Sequence, residues 1–306
     1  MRRAMQYALA AGLLCSTGCE LINGATVVES TFSADMPRLA ISFDGNIIWV
    51  DHAVAEILGG PPLGEERELT AIDASTGAIV FQRQPFSAAF EIRDLVTAYE
   101  SGQGDAVWVL HDNGFRTRWN ASGTFTGAEF PIPSAQFPAD SREFCAMARG
   151  LDGASYYTTG DKNGAYTKYY LYRHQGGVWS RTQITANDCP DTDFDVALEE
   201  VAVKAPYYAQ EYEVTWHDPD TLVEQHAIDV PTHDGDFVAF NHNIAVAVGW
   251  LWNGDIRLYD DEGVLTHLED TVRPKGLDLH YGNNMVQLWY SGDGPGETTV
   301  GTFVLD

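Results

Sequence analysis

The segment Leu69-Thr-Ala-Ile-Asp-Ala-Ser-Thr-Gly-Ala-Ile-Val-Phe81 has the clearest local pattern in the chain. Its two short apolar runs flank a polar segment, Asp73 to Gly77, that ends in glycine. Apolar runs joined by such a segment are typical of a β-hairpin, because glycine relieves the backbone strain of a tight turn. The sequence therefore predicts two antiparallel strands here.

The same design returns along the chain. Its later turns are Asn120–Gly123, His174–Gly177, Asp218–Thr221 and Asp260–Gly263. The five turns end at positions 77, 123, 177, 221 and 263, so they are 42 to 54 residues apart. That spacing suits the four-stranded blades of a β-propeller.

Two further strands are predicted before each hairpin. In the first unit they are Leu39–Phe43 and Asn46–Val50, and the weakest pair is Val196–Leu198 with Val201–Val203. The count predicts an all-β propeller of six blades, in which the last unit has only three strands. Five or seven blades stay open if loops 53–66 and 131–143 hold a strand, and a two-sheet sandwich fits the repeat poorly.

The spare strand Ala25–Phe32 is predicted to close the ring. It has no partner nearby in sequence, and the final unit ends one strand short. A strand that joins the last blade pairs an otherwise exposed sheet edge. Residues 25–306 are therefore interpreted as one propeller domain.

The first hairpin resembles one repeat of the pyrroloquinoline-quinone-type propellers. Its matching residues are Ala71, Asp73, Thr76, Gly77 and Phe81, with Phe81 where that repeat usually has Trp. The resemblance covers about thirteen residues and implies a propeller. The adjacent-cysteine disulfide of that family is absent, so no quinone is implied, and we predict no cofactor.

Residues 1–18 are predicted to be an export signal. Arg2 and Arg3 precede a short apolar run, which is too short to span a membrane, and small residues then precede Cys19. This end resembles a bacterial lipobox, although Ser16 stands where Leu is usual. It predicts a lipid on Cys19, a short tether over residues 19–24, and attachment to the outer membrane or cell surface. An ordinary signal peptide is the alternative, and Cys15 is a weaker lipidation candidate.

The chain is strongly acidic, with a formal net charge of −26 at pH 7. Removal of residues 1–18 takes away two arginines and no acids. Such a surface repels nucleic acid and anionic lipid headgroups, so no nucleic-acid partner is predicted. The acidity favours either solubility or function in an environment rich in cations, salt or basic partners.

Two cysteines lie outside the export signal. Cys145 and Cys189 are predicted to form a disulfide, because an exported protein meets oxidising conditions. Two buried free thiols are the alternative. A metal site would need more ligands at closer spacing.

The densest acidic cluster is Asp191, Asp193, Asp195 and Glu199, spaced as in a calcium loop. Val196 occupies the position that needs Gly, and the terminal Glu is missing. We therefore favour a solvated loop between blades and leave calcium open.

Two histidines recur at equivalent strand ends. His52 and His111 each follow a Trp by three residues, so they are candidates for one rim of the central channel. The alternative is that both histidines recur only because the two strands are equivalent parts of a structural repeat, with no functional role.

A second candidate surface is aromatic. Its members, Trp250, Trp252, Trp289 and Tyr290, form a possible ligand face for sugar or peptide. Packing between blades is the alternative.

No catalytic motif stands out, so we predict a non-enzymatic binding or scaffold propeller with an unknown protein or glycan partner. A propeller hydrolase or lyase acting on polysaccharide or peptide is the alternative, because repeats assemble sites without a linear motif. Histidines and carboxylates meeting at one channel mouth would favour the enzyme. An apolar plug would favour the scaffold.

Overall fold

The computed structural model is built from antiparallel strands. It describes residues 28–29, 38–42, 44–53, 67–83, 92–97, 106–129, 132–206, 211–231, 237–239, 246–250, 255–270, 274–281, 286–293 and 298–305. These residues form six four-stranded sheets, each with an up-and-down strand order. We call each sheet a blade and number the blades along the chain.

The strand bounds follow the chain through the blades. The N-terminal strand is β1 (Val28–Glu29). Blade 1 holds β2 (Arg38–Ile41), β3 (Ile47–Ala53), β4 (Arg67–Asp73) and β5 (Ile79–Arg83). Blade 2 holds β6 (Ile92–Thr97), β7 (Ala106–His111), β8 (Arg116–Asn120) and β9 (Phe125–Glu129). Blade 3 holds β10 (Ser141–Arg149), β11 (Ser155–Asn163), β12 (Tyr166–Gln175) and β13 (Val178–Ile184).

The second half of the chain repeats this order. Blade 4 holds β14 (Asp191–Asp195), β15 (Glu200–Pro206), β16 (Glu211–His217) and β17 (Glu224–Pro231). Blade 5 holds β18 (Phe237–Ala239), β19 (Val246–Trp250), β20 (Asp255–Tyr259) and β21 (Leu265–Asp270). Blade 6 holds β22 (Pro274–Tyr281), β23 (Val286–Asp293) and β24 (Thr298–Leu305), and β1 is its fourth strand.

The first strand of each blade faces the centre of a ring. These inner strands, β2, β6, β10, β14, β18 and β22, each contact the next, and β22 contacts β2 in turn. The apolar cores lie between neighbouring blades, as where Trp49 and Leu69 of blade 1 share a cluster with Leu95 and Val107 of blade 2. The predicted all-β propeller is therefore confirmed.

The hairpin that suggested the fold forms as predicted. β4 pairs with β5, and Ala71 lies opposite Phe81. The Asp73 carboxylate accepts the backbone N–H groups of Ser75 at 3.0 Å and Thr76 at 2.8 Å, which fixes the turn. Gly77 has the positive φ of 72° that the turn requires.

Blade 4 uses the same turn with a different residue at its end. The Asp218 carboxylate accepts the N–H groups of Asp220 and Thr221 at 3.1 and 2.7 Å. Leu222 stands where the first hairpin has Gly77, with φ of 58°. Its side chain is buried in the core shared by blades 3 and 4, so packing offsets the strained backbone.

The expectation for the start of blade 4 was wrong. Residues 191–195 form the inner strand β14 rather than a solvated loop, and residues 196–198 form the following turn rather than a strand. The Asp195 carboxylate accepts the N–H groups of Ala197 and Leu198, each at 2.9 Å. The acidic residues therefore serve local backbone bonds, which a search for alternating apolar residues does not detect.

The disulfide is confirmed, and the closing strand is described only in part. Cys145 and Cys189 are bonded, with their Cα atoms 5.4 Å apart. Within 25–32 the structure describes Val28 and Glu29, whose partners on β24 are Val300 and Thr299. The rest of that stretch, the signal over residues 1–18 and the tether over 19–24 lie outside the described residues. In the described part, no helix is long and apolar enough to cross a membrane.

Candidate functional site: the central cavity

A cavity of about 490 Å³ lies at the centre of the ring. Residues from all six inner strands line it, from Arg38 at the start of β2 to Thr97 and Arg149 at the ends of β6 and β10. We call the side on which β2 begins the start face.

Three aspartates in this cavity join alternate blades to their neighbours. Asp94, Asp193 and Asp278 lie on the inner strands of blades 2, 4 and 6. Each Oδ2 accepts a backbone N–H from the inner strand of the following blade: Met147 at 2.7 Å, Ala239 at 2.8 Å and Ile41 at 2.6 Å, respectively. Each Oδ1 also accepts the N–H of the next residue in its own strand. We call these three residues the aspartate clasp.

Burial raises the proton affinity of two residues of the clasp, Asp193 and Asp278. Burial raises the pKa of Asp278 to about 7. Burial, reinforced by the charge of Asp278, raises the pKa of Asp193 well above its usual range. Burial also raises the pKa of Asp195 to about 6, although its Oδ2 accepts the Trp216 indole N–H at 3.2 Å. Burial therefore favours the protonated, uncharged forms of Asp193 and Asp278.

The same residues do not form a metal site. Within the described part of the chain, no three His, Cys, Asp or Glu side chains are grouped so as to hold a metal ion. Asp191, Asp193 and Asp195 lie along β14, so they cannot wrap around an ion as a calcium loop does. Asp193 also accepts a backbone N–H with each of its carboxylate oxygens, and Asp195 Oδ1 accepts the backbone N–H of Ala197.

Lys204 supplies a buried cation to the cavity wall. It lies on β15, and its side chain is 6% exposed. Its Nζ lies 4.0 Å from Asp191 Oδ2 and within 5.6 Å of the ring centres of Tyr212 and Phe237. A buried ammonium beside two aromatic rings and one carboxylate can bind an anionic or hydroxyl-rich group. The only signal in the sequence was a lysine within the apolar run Val201–Ala205.

His111 does not occupy the predicted channel rim. It is buried at the end of β7, the second strand of its blade, and it is not among the cavity-lining residues. Its Nε2 lies 3.1 Å from the Thr117 hydroxyl, which also accepts the Trp119 indole N–H at 3.0 Å. Burial lowers the His111 pKa to about 4, so this imidazole is neutral at pH 7. His52 lies on β3, and its side chain is outside the described part.

The predicted aromatic ligand face stays a prediction. Trp250 lies on β19, and Trp289 and Tyr290 lie on β23. Their side chains, and all of Trp252, fall outside the described part of the structure. The cavity residues that sequence reasoning missed are the clasp and Lys204.

Comparison with known proteins places the fold. No family model matches the chain, and no curated protein matches it. A solved calcium-binding protein, regucalcin from Agrobacterium tumefaciens, superposes with a TM-score of 0.61 at 13% identity, over 94% of each chain. The fold is a β-propeller.

Two further solved structures have the same fold. A protein of unknown function from Dyadobacter fermentans gives a TM-score of 0.60 at 10% identity, over 93% of this chain and 100% of its own. A Trypanosoma rangeli sialidase gives 0.55 at 11% identity, over 93% of this chain and 60% of its own. At such identities the likeness concerns architecture and not activity.

Proposed function

We propose that this chain is a six-bladed, closed propeller that binds a ligand without transforming it, at the bacterial cell envelope. Six four-stranded sheets and a complete ring of inner-strand contacts support the architecture. The lipobox-like sequence before Cys19 supports the location. The pyrroloquinoline-quinone-type repeat at residues 69–81 is in this view a scaffold element and not a cofactor site.

The central cavity is the proposed binding site, and its volume carries the proposal. About 490 Å³ falls in the range of small-molecule sites, which is roughly 300–1,000 Å³. Such sites combine apolar walls with a few placed polar groups. Here Phe237 and Tyr212 supply the apolar surface, and Lys204 and Arg93 supply charge.

We infer a hydroxyl-rich ligand with an acidic group, such as an acidic sugar, because Arg38, Arg93 and Lys204 lie in the cavity wall. Lys204 would pair with the acid, and the flanking rings would pack against the apolar face of the sugar. The clasp carboxylates are occupied by backbone N–H groups, so they hold the blades and are less suited to attack a substrate. This favours binding over the hydrolase or lyase alternative.

A thermal-shift experiment tests the proposal. The mature protein is screened with acidic and neutral oligosaccharides, short peptides and CaCl₂, because a ligand that binds the folded state raises its melting temperature. The Lys204→Met variant tests the site, and Lys168→Met, at an exposed position on β12, is the matched control. We expect one class of acidic sugar to stabilise the wild type and the control but not Lys204→Met.

Three outcomes contradict this proposal. Stabilisation that survives in Lys204→Met places the ligand elsewhere. Stabilisation by calcium alone makes the protein a cation binder. Turnover of a bound oligosaccharide favours the hydrolase or lyase.

A further inference from the structure

The pairing of the inner strand β6 with β7 is irregular at Arg93. The register shifts between Ile92 and Asp94, so Arg93 is the extra residue of a β-bulge. The inner strand β10 has the same irregularity at Cys145. A bulge turns its extra side chain out of the regular pleat, often toward a binding site. Arg93 and Cys145 both line the central cavity, so the two bulges contribute these side chains to its wall.

A second arginine lies beside the bulge in β6. Arg38 is the first residue of β2, at the start face of blade 1, and it also lines the cavity. Its Nη1 donates a hydrogen bond to the backbone carbonyl of Ile92 in blade 2 at 2.7 Å. This bond holds the Arg38 guanidinium against the residue that precedes Arg93, and a guanidinium has further N–H donors for a ligand. The junction of blades 1 and 2 therefore brings two arginines to the cavity wall.

Lys204 lies on the other side of the ring. It belongs to blade 4, and its Nζ lies 5.5 Å from the ring centre of Phe237 in blade 5. The inner strands contact one another in the order of the six blades, and the inner strand of blade 6 contacts that of blade 1. In a ring of six, the junction of blades 4 and 5 is opposite the junction of blades 1 and 2. The cavity therefore has positive side chains on two opposite walls.

The fourth positively charged side chain of the cavity wall is directed elsewhere. Arg149, at the end of β10, is 3% exposed. Its Nη1 donates to the Ser155 hydroxyl, and its guanidinium carbon lies 5.1 Å from the ring centre of Trp108. Arg149 therefore lies in the junction of blades 2 and 3 and does not belong to either of the two opposite walls.

The two positive walls are too far apart for one acidic group. A sphere with the volume of the cavity is about 10 Å across, whereas an ion pair needs a separation of no more than about 4 Å. Glu143 and Asp188 also line the cavity, next to the disulfide, and their charges repel an acidic group that lies between the walls. A ligand that uses both walls therefore needs two acidic groups.

We propose that the cavity binds a ligand with two acidic groups, one paired with Lys204 and the other with Arg38 and Arg93. The ligand class is a short acidic oligosaccharide with a carboxylate on each of two sugars. This inference rests on the proposed function, in which the cavity is the binding site and Lys204 pairs with an acid. It adds that the two arginines select the second acid, because the planar donors of a guanidinium match a carboxylate.

Isothermal titration calorimetry tests the second acid. The mature protein is titrated with galacturonate, with digalacturonate and with the neutral disaccharide galactobiose. We expect digalacturonate to bind about tenfold more tightly than galacturonate, because it forms a second charge-assisted contact, and galactobiose to bind most weakly. Arg38→Met should remove most of the preference for digalacturonate and leave the affinity for galacturonate nearly unchanged. Lys204→Met should weaken the binding of both acids.

Further variants separate a lost ion pair from a folding defect. Arg93→Met tests the second arginine and leaves the bond from Arg38 to Ile92 in place. Arg38→Lys keeps the positive charge and should keep part of the preference for digalacturonate. Lys168→Met, at an exposed position on β12, is the matched control and should leave all three affinities unchanged.

The outcomes distinguish this inference from the proposed function. Equal affinity of the wild type for galacturonate and digalacturonate overturns the inference, as does a preference that survives in both Arg38→Met and Arg93→Met. If Lys204→Met still loses binding in those cases, the proposed site stands and only the second acid is wrong. Binding that survives in Lys204→Met, or no binding of any of the three sugars, contradicts the proposed function and this inference with it.

Discussion

The carboxylate of Asp278 in blade 6 accepts the backbone N–H of Ile41 in blade 1 at 2.6 Å. This bond joins residues 237 apart in sequence across the point where the ring closes. Asp94 and Asp193 make the same bond at two other junctions, from blade 2 to blade 3 and from blade 4 to blade 5. The clasp therefore recurs every second blade, so that the ring has a threefold pattern within its six sheets.

The clasp predicts a characteristic pH dependence. Because burial raises the pKa of Asp278 from its ordinary value of 3.8 to about 7, the folded state binds this proton more tightly than the unfolded state. Its contribution to stability is therefore fully present below about pH 4 and is lost as the pH rises through about 7. Asp278→Asn removes this loss but leaves one N–H without its acceptor, at a cost of about 1–3 kcal/mol.

We expect Asp278→Asn to be less stable than the wild type at pH 5 and to approach or exceed it at pH 8. Urea denaturation at both pH values measures the difference. Asp261→Asn, at an exposed turn position, is the control and should leave the pH dependence unchanged. A difference from wild type that is the same at pH 5 and pH 8 would show that Asp278 does not titrate in this range.

Removing the disulfide should lower the free energy of unfolding. Cys145 and Cys189 are 44 residues apart, and a crosslink over such a loop contributes roughly 3–4 kcal/mol in the chain-entropy model. The double variant Cys145→Ser/Cys189→Ser should unfold at a correspondingly lower urea concentration. Free-thiol titration of the denatured, unreduced wild type should find neither cysteine reactive. Two reactive thiols there would remove the basis of this prediction.

The close contact between Gly123 of blade 2 and Phe81 of blade 1 depends on glycine having no side chain. Gly123 has φ of 73°, and an added Cβ would lie 2.1 Å from the ring of Phe81. Gly153 has a similar φ of 81°, but an added Cβ would meet nothing within 4 Å. Both alanine variants therefore share the backbone strain, and only one of them adds a steric clash.

Gly153→Ala should cost about 1–2 kcal/mol from the left-handed backbone alone. Gly123→Ala should cost a further 1–3 kcal/mol, roughly, from overpacking against Phe81. Thermal denaturation of both variants measures the two effects. The double variant Gly123→Ala/Phe81→Leu should recover part of the second cost, and an unchanged cost would mean that the ring does not fill this turn.

The anchor is tested by one substitution. Cys19→Ser should move the protein from the membrane to the soluble fraction, because it removes the proposed site of lipid attachment. Mass spectrometry of the wild type should find a lipid on Cys19. A variant that stays with the membrane would disprove the lipoprotein assignment, and an unlipidated wild type would support the ordinary signal peptide. Cys15→Ser is the control and should leave the fractionation unchanged.

Much of the fold could be predicted from the sequence because each outer hairpin is formed by residues that are close together in the chain. The turn at Asp73 needs only neighbouring residues, so its sequence carries the whole signal. The inner strand β14 was missed because Asp193 and Asp195 bind distant and following backbone groups, which no local pattern encodes. The hairpin turn recurs in successive blades, whereas the clasp occurs only in every second blade, so the repeat of the turns does not predict it.

The candidate site was less predictable than the fold. An aspartate followed by an apolar residue, as in Asp94-Leu95 and Asp278-Leu279, was visible on two inner strands. Its meaning depends on the next blade, whose N–H groups become neighbours only after the ring forms. The location of His111 was predicted from its position at a strand end. That position does not distinguish the channel from the interior of a blade, where His111 is buried beside Thr117.

The last prediction concerns the strand that completes blade 6. Val300 is fully buried, and its backbone partner is Val28. Without residues 25–32, β24 (Thr298–Leu305) would present an unpaired edge, which is a template for aggregation. Deletion of residues 20–33 should therefore lower the melting temperature of the whole domain and promote aggregation. Deletion of residues 20–24 alone removes the predicted tether and keeps the strand, so it should do neither. Light scattering and thermal denaturation compare the two proteins, and equal stability with no aggregation in either would refute closure by this segment.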